Sequence, residues 1–179
     1  RGFLDCARYL NLAFHIGAAP FISLAARSVA SRPLAIMAAL VAVAAPSSNY
    51  VAFFMPETMY FFGFAVLAWM ALRGSGWHWA AYAAASGAWL GIMALIKVHA
   101  VFLAPSLALF TGYMVWSTRR GAQGPGTALA ATLANLAAMY AVKTAVGYAL
   151  VGPTAWHLLG SFYGSHASAA TPLATLLPA

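Results

Sequence analysis

Acidic residues are almost missing from this sequence. Among 179 residues there are two carboxylates, Asp5 and Glu57. A soluble domain carries charge on about a quarter of its residues, whereas here the charged fraction is 6%. So few charges cannot cover a soluble fold, which excludes that class. There is one cysteine, Cys6, so an intrachain disulfide framework is excluded as well. The motifs of soluble catalysis are missing: there is no GxSxG, no Walker loop, no CxxC pair and no HExxH. Strict alternation of polar and apolar residues is missing too, which argues against a closed β-barrel.

What is present is long apolar runs. The chain is 64% hydrophobic with a mean hydropathy of +0.83, the composition of an integral membrane protein. A helix needs about 20 apolar residues to cross a hydrocarbon core of roughly 30 Å. The runs rich in alanine and leucine predict an all-α bundle of six spans: 9–26, 34–54 (broken near Pro46), 56–72, 79–96, 98–116 and 127–150. Residues 151–179 are expected to form an outer-face tail or re-entrant segment of the same single domain. The chain opens on Arg1 without a signal-peptide pattern and closes on the apolar run TPLATLLPA; the expectation is a piece of a longer protein.

The net charge of +7 is dispersed between apolar runs, which points to membrane topology rather than to nucleic acid. Three short connections, RSVASRP, RGSGWH and STRRGAQGPG, all carry arginine. If the helices alternate in direction, Arg27, Arg32, Arg73, Arg119 and Arg120 share one side. The positive-inside rule makes that side cytoplasmic. The expected location is a multi-pass position in a bacterial inner membrane. Arg1, Asp5, Arg8, the Pro46–Glu57 segment and the Ile96–His99 turn then face outward.

Several features read as architecture. Pro56 suits the first turn of a helix, where its missing N–H is not needed, and Glu57 behind it opposes the helix dipole. Gly87 and Gly91 in GAWLG offer a smooth packing face. Pro20 and Pro105 are expected to kink their helices. Asn11 and His15, four apart, are expected inside the bundle as interhelical hydrogen-bonding groups. His78, between Trp77 and Trp79, reads as an interfacial residue. The stretch APSSNYVAFFMP reads as re-entrant or interfacial.

Other polar residues are not explained by topology. Arg1, Arg8, Lys97 and Lys143 fall toward the side that the positive-inside rule depletes, together with Asp5, Glu57 and His99, and with His157 and His166 near it. Lys97, in ALIKVHAVFLAP, has two readings: an ammonium contact to a phosphate, or a lysine snorkelling to lipid headgroups. Lys143 has the same two readings, and Arg1 and Arg8 also read as interfacial anchors. Glu57 is a cavity carboxylate or a helix-start carboxylate. Glu57 and His99 are both ordinary ligands for a divalent metal ion. Two helices of similar length joined by a short turn are expected to bring Glu57 and Lys97 together at one outward cavity.

From about Arg8 to Ser117 the order of features resembles the GT-C superfamily of polytopic glycosyltransferases. The likeness is to the branch with protein O-mannosyltransferases and lipid A aminoarabinose transferases. It rests on LAARSVASRPLAIMAALVAVAAPSS, then PETMYFFGFAVLAW, then GAWLGIMALIKVHAVFLAP. The resemblance implies a sugar donor linked to a polyprenyl phosphate, used at the outer or lumenal membrane face. It implies a carboxylate base for the acceptor and positive charge, or a metal, for the departing phosphate. Lys97, with Lys143 and Arg8, would bind donor phosphate, and Glu57 would line the cavity, as a metal ligand with His99 if a metal is used. The family's main acid lies in a first outer loop, so the resemblance implies a base upstream of Arg1, with Asp5 standing in only if that loop is shortened. The rival readings are a transporter or flippase-like protein and a noncatalytic membrane subunit.

Overall fold

The computed structural model describes residues 2–45, 56–118 and 124–152. It is an all-α membrane bundle, with no strand among the described residues. In chain order the helices are α1 Gly2–Ala26, α2 Arg32–Ala44, α3 Glu57–Arg73, α4 Trp79–Ile96, α5 Ala104–Thr118 and α6 Gly124–Val151. Short 3-10 segments, Gly74–Gly76 and Val98–Leu103, precede α4 and α5.

Four segments are long and apolar enough to cross a membrane: Leu4–Ala26, Trp79–Ile96, Val98–Thr118 and Gly124–Leu150. The six expected spans are thus six helices of unequal reach. α2 has 13 residues, about 20 Å at 1.5 Å per residue, too short for a core of roughly 30 Å. Its end has a local cause. Proline disfavours helical backbone in the residue before it, and Ala45, preceding Pro46, is extended at φ −60° and ψ 160°. The rest of that expected span, 46–54, lies outside the described residues, as do Arg119, Arg120 and the 153–179 tail.

Two other boundaries differ from expectation. α1 starts about two turns early, because Asp5 and Arg8 are accommodated inside its first turns. The fifth span begins as a 3-10 helix, and α5 starts only at Ala104. Pro105 therefore sits in an α-helical first turn, where it fits, and marks a change of helix type rather than a mid-helix kink.

Aromatic and glycine contacts set the directions. Phe14 meets Phe62 and, two turns on, Phe21 meets Trp69, so α1 and α3 are parallel. α3 and α4 are antiparallel: the Trp89 indole N–H donates to the Gly63 carbonyl at 2.8 Å. α4 and α6 are parallel, since Gly87 lies on Asn135 and Gly91 on Met139. Arg27, Arg32 and Arg73 consequently share one end of the bundle, and Glu57 and Lys97 the other. The core gathers around Leu90, Met93, Met139 and Leu107, while large side chains such as Leu40, Leu109, Tyr113 and Leu133 point outward. That inside-out distribution suits lipid as the surrounding solvent.

The α4–α6 contact depends on missing side chains. A Cβ at Gly91 would lie 2.5 Å from the Met139 carbonyl oxygen, and one at Gly87 would strike the Asn135 carbonyl. Backbone cannot swing aside as a flexible side chain can. Gly87→Ala is expected to destabilise the fold by about 1–3 kcal/mol, the usual cost of overpacking. Gly126→Ala, with nothing within 4 Å of its Cβ, is expected not to. Thermal unfolding in detergent compares them, and equal melting temperatures contradict the account.

Candidate functional site at the Glu57–Lys97 pair

Glu57 owes its position to Pro56, which caps α3 with helical backbone at φ −68° and ψ −10°. Lys97 owes its position to a break. α4 ends there with extended backbone, φ −145° and ψ 117°, while the Lys97 N–H still closes onto the Met93 carbonyl. The α3–α4 hairpin brings the two ends level. The Lys97 ammonium donates to Glu57 Oε1 at 3.0 Å and lies 5.9 Å from the Tyr60 ring centroid, within cation–π range.

This pair is not saturated. An ammonium has three protons to give, and the side chains remain 33% and 37% exposed. The other carboxylate oxygen, Glu57 Oε2, is buried without a hydrogen-bond partner, as is the hydroxyl of neighbouring Thr58. A partly open cation, a carboxylate using one oxygen, and a spare hydroxyl thus stand at one end of the bundle. Such a group can exchange its internal partner for an external anion.

The other candidate residues are arranged differently. Asp5 and Arg8 pair with each other at 3.8 Å, both exposed. The parallel packing of α1 on α3 puts them at the Glu57 end, but an exposed i,i+3 pair contributes little. Lys143, on α6, is half-buried, with its backbone beside Gly91; among the described residues it forms no ion pair. His99 is exposed in the 3-10 segment after Lys97, its ring 6.3 Å from that of Phe102. Arg1, His157 and His166 lie outside the described residues.

A divalent metal fits these side chains poorly. No group of three His, Cys, Asp or Glu gathers among the described residues, and a cation on Glu57 would also meet the Lys97 ammonium.

Asn11 and His15 are buried as expected. The His15 Nε2–H donates to the Val43 carbonyl at 2.7 Å, and the ring stacks on Phe61. His15 thereby satisfies a carbonyl that α2 leaves open at its end. His78 proves to be the N-cap of α4, its Nδ1 accepting from the Ala80 N–H at 3.3 Å. Sequence reasoning missed a buried polar group formed by Tyr82, Ser86, Thr111 and Asn135. Its signal was present: a lone asparagine within an apolar membrane helix is expensive unless it faces the interior. No protein family, curated protein or solved structure matches the chain.

The different settings of the two ion pairs generate a test. A double-mutant cycle with Glu57→Gln and Lys97→Met is expected to show a coupling of about 1–3 kcal/mol, in the range for residues in direct contact. The cycle for Asp5→Asn and Arg8→Met is expected near the roughly 0.2–0.5 kcal/mol of an exposed helix pair. Unfolding free energies in mixed micelles supply both values. Equal couplings contradict the distinction.

Proposed function

We propose that the chain is the membrane part of a glycosyltransferase that takes a sugar from a polyprenyl-phosphate donor and transfers it to an acceptor. The observation that carries this reading is the meeting of Glu57 and Lys97, 40 residues apart in sequence, as a partly open ion pair. In this reading the arginine-bearing end is cytoplasmic and the pair lies at the outer face of a bacterial inner membrane.

The mechanism follows from the ammonium. A polyprenyl phosphate brings its anion to the membrane face, where Lys97 offers donors. As the acceptor oxygen attacks the anomeric carbon, the bond from that carbon to the phosphate oxygen breaks. The leaving phosphate takes the electron pair, and the ammonium stabilises the charge that grows there. The acceptor gives up its proton to a carboxylate base. Glu57, released from Lys97 when phosphate takes its place, is the carboxylate this chain supplies beside the ammonium. Lys143 and Arg8 add positive charge at the same end.

A transporter reading has one observation in its favour. α2 ends about 6 Å deeper than Glu57 at 1.5 Å per residue, since Val43 meets His15 and His15 stacks on Phe61, four residues into α3. Helix ends at membrane depth line the central sites of transporters. Translocation without transfer would favour it.

Sugar transfer by the full-length protein in lipid vesicles separates the readings. Lys97→Ala is expected to lower transfer about thirtyfold or more while the protein still inserts. The basis is a contact of about 2–5 kcal/mol, typical when one partner of a hydrogen-bonded charge pair is removed. Lys97→Arg should rescue in part, because a planar fork places its donors differently from a compact ammonium. Glu57→Gln should lower the rate of transfer rather than donor binding. Wild-type transfer by both Lys97→Ala and Glu57→Gln would remove the pair from the active site.

A further inference from the structure

Between α4, α5 and α6, three side-chain oxygens are buried without a partner: the Tyr82 hydroxyl, the Thr111 hydroxyl and Asn135 Oδ1. Tyr82 is 2% exposed, and Thr111 and Asn135 are fully covered. Each comes from a different helix, yet the packing brings them to one level. Ala83, Val115 and Ala131 form one apolar layer. One turn beyond it, toward the Lys97 end, stand Ser86 on α4, Thr111 on the oppositely directed α5, and Asn135 on α6. Tyr82 enters from the layer below, with its hydroxyl next to Thr111.

The remaining hydrogen-bonding capacity has a definite form. The Asn135 amide N–H groups are used, donating to the Ala83 carbonyl at 3.2 Å and to Ser86 Oγ at 2.9 Å. Ser86 in turn donates to the Tyr82 carbonyl at 2.7 Å. What is left is one acceptor, Asn135 Oδ1, and the Tyr82 and Thr111 hydroxyls, which adjoin each other. A water molecule complements that set, donating to Asn135 and accepting from Tyr82 and Thr111. Three hydrogen bonds is the usual number for a buried water. A bare cation does not complement it, because the three oxygens are uncharged and too few to replace a hydration shell.

A small cavity of about 30 Å³ opens at the arginine-bearing end, lined by Trp77, Tyr82, Met114 and Thr118 among others. That volume exceeds the roughly 10–15 Å³ one water needs, and Tyr82 belongs to both the cavity wall and the buried group. We propose that the α4–α5–α6 interior is a hydration site, a water held by Tyr82, Thr111 and Asn135 and exchanged through the Tyr82 cavity. The bound water ties α5 to α4 and α6 by directional bonds where the surrounding contacts are apolar.

Thr111→Val tests this, because valine keeps the shape and removes the hydroxyl. With water bound, the full-length variant in detergent should melt lower by about 2–4 °C, the shift for one lost hydrogen bond in a chain of this size. A dry site predicts the reverse: removing an unpaired buried hydroxyl raises the melting temperature, and that result overturns the proposal. Melting should be the same in sodium and in choline chloride; stabilisation by sodium overturns water in favour of a cation. A wild-type structure that resolves ordered water should show a peak between the three oxygens, and an empty gap there would also overturn it.

Discussion

The backbone of α4 lies directly on the backbone of α6, and the rest of the bundle is organised from that contact. Gly87 and Gly91 permit it, with the Asn135 and Met139 carbonyls filling the space side chains would occupy. In lipid there is little hydrophobic drive between helices, so close packing of this kind carries the association. With α4 fixed on one side, its other face receives α3 through Trp89 and Gly63. The length of that hairpin then decides what meets at its open end. Glu57 and Lys97 meet because α3 and α4 are similar in length and the turn between them is short.

Lipid also dictates how the polar groups are handled. Each must find a partner or reach the membrane face. His15 covers the carbonyl that the short α2 leaves open. Asn135 fastens α6 to α4 through Ser86 and the Ala83 carbonyl. Lys97 takes Glu57, and the pair remains partly open. These arrangements use few residues, which is how so sparse a polar complement can hold a bundle and still leave a partly open ion pair at one end.

Much of this was legible in the residues. α4 runs over the expected 79–96, because a glycine-containing turn stops the helix before it and Lys97 ends it. The convergence of Glu57 and Lys97 followed from comparing two spans, with no knowledge of side-chain packing. The buried state of Asn11 and His15 followed from their four-residue spacing. Other features were hidden for physical reasons. The 3-10 segment at Val98–Leu103 has the same apolar composition as an α-helix. The early start of α1 was masked by Asp5 and Arg8, which looked like a polar boundary but neutralise each other along the helix. The Tyr82–Thr111–Asn135 group depends on how three helices are rotated about their axes, and a hydroxyl in an apolar run does not reveal that.

The central claim is that Lys97 can hold either Glu57 or a lipid-linked phosphate. Binding of a polyprenyl phosphate to the full-length protein in nanodiscs tests it most directly. With the internal competitor neutralised, Glu57→Gln should bind the lipid phosphate at least as tightly as wild type, and Lys97→Met should bind it about tenfold or more weakly. Opposite shifts from the two members of one ion pair are the signature of exchange. Unchanged affinity in both variants, or an equal loss in both, would contradict the account and leave the pair as a structural clasp between α3 and α4.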